Sequence, residues 1–156
     1  MTHPFSTKPM FTFDEVLCGI EMFGYAKAYR RLYENSKSVI AVSVLTAEHQ
    51  TLINRKFSTE EEQQQWLEQF NAAIRECGVP EDFITLPDGT FIIEKLVTYA
   101  EYRLVGRRHT IELYDHIPSK RPDGKKDKPL VTALVESREA ATDFLNYLAA
   151  RLNKAK

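Results

Sequence analysis

Two stretches decide how this chain reads: residues 52–77, LINRKFSTEEEQQQWLEQFNAAIREC, and residues 130–155, LVTALVESREAATDFLNYLAARLNKA. In the first, Leu52 to Phe57 has the composition of a strand. Ser58 to Cys77 then carries Trp66, Leu67, Phe70, Ala73 and Ile74 at three- and four-residue spacing, the signature of an amphipathic helix. In the second, Leu130 to Val135 leads into a helix from Ser137 to Asn153 with Phe144, Leu145, Leu148 and Leu152 on one stripe. The two align without a gap at an offset of 78 residues, which sets Leu52 on Leu130, Thr59 on Ser137, Glu61 on Glu139, Leu67 on Leu145 and Ala72 on Ala150. Internal duplication is one explanation. The other is that any capped amphipathic helix after a strand resembles any other. Both predict the same packing.

The chemistry of the helix ends supports these boundaries. Ser58 and Thr59 compete to cap the first helix, with Glu61 or Glu62 at the third helical position, and Glu60, Glu61 and Glu62 sit favourably on the positive end of the helix dipole. The acidic run is therefore read as helix chemistry and not as a metal site. Gly78 suits the left-handed position after the last turn, and Pro80 prevents continuation.

Working outward toward the start, residues 1–10 carry Pro4 and Pro9 with no periodicity and read as an arm, followed by a single domain over 11–156. A helix is predicted from Phe11 to Asn35. Thr12 and Glu15 have capping-box spacing, Phe11 and Val16 supply a staple, and Val16, Leu17, Ile20, Phe23, Ala28 and Leu32 make an apolar stripe. Gly19 and Gly24 oppose it at about 1 kcal/mol each. On this helix Tyr25, Tyr29 and Tyr33 recur every fourth residue beside Lys27, Arg30 and Arg31. They read as tyrosines at a core margin in preference to a stacking and phosphate-binding ridge.

Strands are expected at Ser38–Leu45 and Gln50–Phe57, joined by the turn Thr46–His49, and at Phe83–Leu86 and Thr90–Ile93 around Pro87-Asp88-Gly89. Glu94 to Leu104 fits either a helix or a strand, and its β-branched and aromatic residues favour strand. After the tight turn Val105-Gly106-Arg107-Arg108, the run His109–His116 alternates, with Ile111 and Leu113 on one face and Thr110, Glu112, Tyr114 and His116 on the other. Ile117 to Lys128, with two prolines and five basic residues, reads as a loop. The predicted fold is α+β: a mainly antiparallel sheet, an N-terminal helix and two similar strand-to-helix units.

Composition excludes several functional classes. The 156 residues suit one domain, and 43% apolar residues with a net charge of −1 exclude general disorder and a strongly basic nucleic-acid protein. Cys18 and Cys77 stand 59 residues apart with no metal-ligand spacing, so no metal or cofactor is expected. The start lacks the apolar core of a signal peptide, and the longest apolar run, Val39–Leu45, is far too short to span a bilayer. These features predict a cytoplasmic protein without a membrane association.

No phosphate-cradling glycine loop, nucleophile elbow, zinc-protease helix or calcium loop is present. The primary expectation is accordingly a non-catalytic binding or accessory protein with a protein partner, or a homodimer formed through a sheet edge or the first helix. The alternative is nucleic-acid or polyanion binding through residues 103–128. There Arg103, Arg107, Arg108 and His109 surround one turn and Lys120, Arg121, Lys125, Lys126 and Lys128 follow on a loop. A third reading makes Glu112 and His116 a proton-transfer pair of a small enzyme, with Tyr114 between them. His109 and His116, seven residues apart, belong on opposite faces of a strand and do not make a shared site.

Overall fold

A computed structural model describes residues 9–31, 39–119 and 127–154. The fold is α+β, with mostly antiparallel sheets and two helices. Ten strands precede or separate the helices: β1 (Met10–Phe13), β2 (Val16–Gly19), β3 (Tyr25–Tyr29), β4 (Ile40–Leu45), β5 (Thr51–Phe57), then α1 (Glu60–Cys77), β6 (Phe83–Thr85), β7 (Phe91–Ile93), β8 (Tyr99–Val105), β9 (Arg108–Tyr114), β10 (Val131–Val135) and α2 (Arg138–Lys154). Short 3-10 turns occupy Ile20–Met22 and Glu94–Leu96. Glu94 to Leu104 thus resolves into a turn and a strand.

The helix expected from Phe11 to Asn35 is not formed; this is the main correction to the sequence reading, and residues 32–35 lie outside the described residues. Asp14 and Glu15 adopt positive φ values of 50° and 69° and turn β1 back onto β2 in a two-residue hairpin. Asp14 can hold this conformation because its carboxylate accepts from the Trp66 indole N–H at 2.9 Å and from Arg55 Nε at 2.6 Å. These donors, the indole first, hold the Asp14 carboxyl below the usual carboxylate range. Gly24 marks a close crossing: a Cβ there would lie 2.5 Å from the backbone of Thr46 and Ala47. What looked like a helix-weakening glycine is a residue that only glycine can fill. Of the arm expected over 1–10, residues 1–8 lie outside the described residues, and Met10 belongs to β1.

The larger sheet has the order β5-β4-β3-β7-β6 and the smaller the order β10-β9-β8, every pairing antiparallel. One face of the larger sheet packs on α1 and the β1–β2 hairpin. Trp66, Leu67, Phe70 and Ile74 meet Phe11, Phe23, Val42, Val44, Ile53 and Phe91 in one core. Phe70 stacks on Trp66 and Phe91 with centroids 5.2 and 5.8 Å apart. Burying such a ring stabilises the fold by about 1.5–3 kcal/mol relative to exposure. A second core joins Tyr25, Ile84, Leu86 and Ile92 to Ile111, Leu113, Val131 and Ala133 of the smaller sheet, and to Ala141 and Leu148 of α2.

Both strand-to-helix units are present, and their helices begin at the aligned residues Glu60 and Arg138. Thr59 Oγ1 accepts from Glu62 N at 3.1 Å, and Ser137 Oγ accepts from Ala140 N at 3.0 Å, the same cap at aligned positions. The element order hairpin, 3-10 turn, three strands, helix occurs twice along the chain. The hairpins nevertheless differ in use: β1–β2 stands as its own two-stranded sheet, whereas β6–β7 joins β3.

Candidate functional site

The β8–β9 hairpin carries the residues singled out by charge. Gly106, with φ 61°, forms its turn, and Arg107 is exposed at the tip. The other two arginines are engaged. Arg108 Nη1 meets both carboxylate oxygens of Glu60 at 2.8 and 3.1 Å, and Arg103 Nη1 lies 3.5 Å from Glu112 Oε2. They do not converge at one end of the hairpin. Of the basic loop Lys120–Lys128 expected to close over them, residues 120–126 lie outside the described residues.

The polar face Thr110, Glu112, Tyr114 is buried, as are Ile111 and Leu113 on the other face. The Tyr114 hydroxyl donates to Glu112 Oε1 at 3.2 Å, and Thr110 Oγ1 donates to the Arg103 carbonyl at 2.8 Å. Burial, then the Glu112 charge, pushes the Tyr114 hydroxyl titration far upward. These polar groups satisfy one another, as groups out of water must. Glu112 and His116 do not pair: His116 Nδ1 is 2.9 Å from Asp115 Oδ1 and its Nε2 is 3.2 Å from Asp127 Oδ2. His109 instead contacts the Tyr102 hydroxyl through Nδ1 at 2.7 Å.

The structure assembles a chain that the sequence did not reveal. Tyr25 OH lies 2.8 Å from His49 Nδ1, and His49 Nε2 lies 3.6 Å from Asp115 Oδ2, so His49 and His116 share one carboxylate. The hydrogen bond to Asp115, then that to Asp127, raises the His116 titration above its ordinary value. Asp127 is held low, first by the Ser119 backbone N–H and then by His116. These contacts tie β3, the turn after β4 and the segment after β9 to one another. Among the described residues no three His, Cys, Asp or Glu side chains are grouped to hold a metal ion.

A cleft with an apolar floor lies elsewhere. A cleft of about 820 Å³ opens between the first 3-10 turn and residues 78–83, lined by Ile20, Phe23, Val79, Pro80 and Phe83 with Glu21, Glu81, Asp82 and Lys95. Val79 on its wall is 48% exposed; Met10 and Met22, next in sequence to the lining residues Pro9 and Glu21, are 56% and 45% exposed, and Leu17 of β2, three residues before the lining residue Ile20, is 65% exposed. Leu17, expected in a core stripe, points to solvent because a hairpin replaces the helix. The signal was missed for the same reason: on a helix, Leu17 would have shared a stripe with Ile20.

No helix among the described residues is long and apolar enough to cross a membrane. No protein-family model, curated protein or solved structure matches the chain.

Proposed function

We propose that the protein is a non-catalytic, cytoplasmic binding protein, and that the cleft between the first 3-10 turn and residues 78–83 holds an apolar segment of a protein partner flanked by basic residues. The supporting observation is an apolar-floored cleft with the half-exposed Val79 on its wall, the exposed Met10, Leu17 and Met22 within three residues in sequence of its lining, and three carboxylates against one lysine. Scattered exposed apolar residues need no explanation, but several around one concave site mark a contact surface. Methionine side chains there would adapt to varied partners. The two free thiols, Cys18 and Cys77, are in keeping with a reducing compartment.

Selection from a displayed peptide library tests the proposal. Apolar peptides bearing Lys or Arg should be enriched, and Leu17→Asp with Val79→Asp should abolish their binding while leaving the thermal midpoint within a few degrees. Absence of enrichment, or binding indifferent to both substitutions, overturns it. Light scattering identifies the occupant as a second copy if a dimer is found that the same double variant dissolves.

A further inference from the structure

The opposite face of the larger sheet carries a different kind of site. Strand register sets Lys27, Ser43 and Asn54 side by side across β3, β4 and β5, and Tyr29, Ala41 and Lys56 in the next row. Because alternate residues share a face, Lys27 and Tyr29 project together with Ser43, Asn54 and Lys56. A cleft of about 460 Å³ opens there, lined by Tyr29, Arg30, Ser43, Asn54, Lys56 and, from β10, Thr132. Among the described residues its lining contains no carboxylate.

Among the described residues the positive charge around this cleft is incompletely balanced. The Arg30 side chain is only 3% exposed, and its Nη2 lies 3.0 Å from Asp88 Oδ2. That contact is a charge pair without hydrogen-bond alignment, so the buried Nη2 has no acceptor. Asp88 is itself shared, accepting from the Thr90 N–H and from the Leu134 N–H of β10 at 3.1 and 3.0 Å. Lys27 is partly buried. Desolvation first, and then the neighbouring charge of Lys128, lowers its titration. Ser43 Oγ accepts from Asn54 Nδ2 at 3.0 Å, which leaves the serine O–H free to donate. A buried guanidinium and serine hydroxyl beside a partly buried and an exposed lysine, with little negative charge next to them, are what an anionic ligand completes.

We propose that this cleft binds a phosphate-bearing small molecule of mononucleotide size, with Lys56, Arg30 and the Ser43 hydroxyl on the phosphate, Lys27, paired with Ser43 on the neighbouring strand, adding its charge at the edge, and the Tyr29 ring against the planar part. The volume falls within the range of about 300–1,000 Å³ typical of small-ligand clefts. Lysine and arginine together suit a phosphate, which offers more acceptor positions than a carboxylate.

Calorimetric titration of the full chain with AMP, inorganic phosphate and adenosine, at low salt, tests the assignment. AMP should bind more tightly than phosphate, and adenosine should not bind measurably. Lys27→Met combined with Lys56→Met should weaken AMP and phosphate by at least about tenfold, the effect of losing roughly 1.4 kcal/mol of charge-assisted contact. Tyr29→Ala should weaken AMP alone. Lys56 is exposed and is the fallback if the Lys27 variant does not fold: Lys56→Met by itself should still lower AMP affinity severalfold. No binding of AMP or phosphate, equal binding of adenosine, or affinity unchanged in the lysine variants overturns the proposal.

Discussion

Helices α1 and α2 start at aligned positions with the same cap, yet they are buried to different depths. Along α1 the inward positions are Gln63, Trp66, Leu67, Phe70 and Ile74, all buried. The residues 78 further on are Ala141, Phe144, Leu145, Leu148 and Leu152; of these only Ala141 and Leu148 are buried. The same face turns inward in both, so local periodicity fixed the orientation. Depth was fixed by what else covers the helix. The β1–β2 hairpin closes over α1 through Phe11 and Phe13, whereas the corresponding hairpin β6–β7 is drawn into the larger sheet and leaves α2 with an exposed Tyr147.

The largest expected effect tests this difference directly. Phe70→Ala should cost about 3–5 kcal/mol in denaturant unfolding, because ring and stacking partners are lost together. Phe144→Ala, at a partly buried position one turn before the equivalent Leu148, should cost clearly less. Equal losses would show that hairpin coverage does not distinguish the helices. Next comes Gln63, whose Nε2 donates to the Tyr29 and Ala41 carbonyls at 3.0 and 2.8 Å where β3 and β4 diverge. Gln63→Ala, which installs the residue of the other helix, should destabilise by about 1–3 kcal/mol as two carbonyls lose their donor. The caps come third: Thr59→Ala and Ser137→Ala should each cost about 1 kcal/mol, and similar values would extend the likeness of the two units to energetics.

The smallest effect concerns pH. His116 holds its proton more tightly in the folded chain, so its contribution is fully present below the ordinary histidine value of about 6.5 and is lost as pH rises through the raised folded value. Asp127 acts in the opposite sense: its contribution is present above the ordinary carboxylate range and is lost as pH falls through its lowered folded value. The contact is strongest between these limits. An NMR titration of the His116 ring should show a midpoint above that of a free histidine, and Asp127→Asn should move it down. Because His116 is exposed, His116→Gln should barely change the melting temperature.

These contrasts explain what was legible before the structure. The helices after β5 and β10, the turn at Gly89 and the strand after Glu94 depend on contacts within a few residues, and the sequence carried them. The reading of Phe11 to Asn35 as a helix failed because its apolar spacing fits a helix while the geometry of its hairpin depends on Trp66 and Arg55, more than 40 residues away from Asp14. That error of period also hid the phosphate-type cleft. Helical spacing groups Tyr25 with Tyr29 and turns Lys27 aside, whereas strand spacing sets Lys27 between them on one face. At the hairpin tip the charges were visible but their partners were not: Arg108 finds Glu60 from a helix 48 residues earlier.

Gly24 has one more consequence. Its N–H donates to Leu45 within the first half, and its carbonyl accepts from Ile93 of the second, beside the Tyr25–Ile92 pairing. The middle strand of the larger sheet is therefore completed by a segment 67 residues downstream. At ribosomal speeds of about 5–20 residues per second, the open edge of β3 waits roughly 3–13 s for its neighbour to be synthesised. The nascent N-terminal half passes through that interval with a hydrogen-bonding edge available to any other chain, so the second half of the molecule acts, in kinetic terms, as the guard of the first.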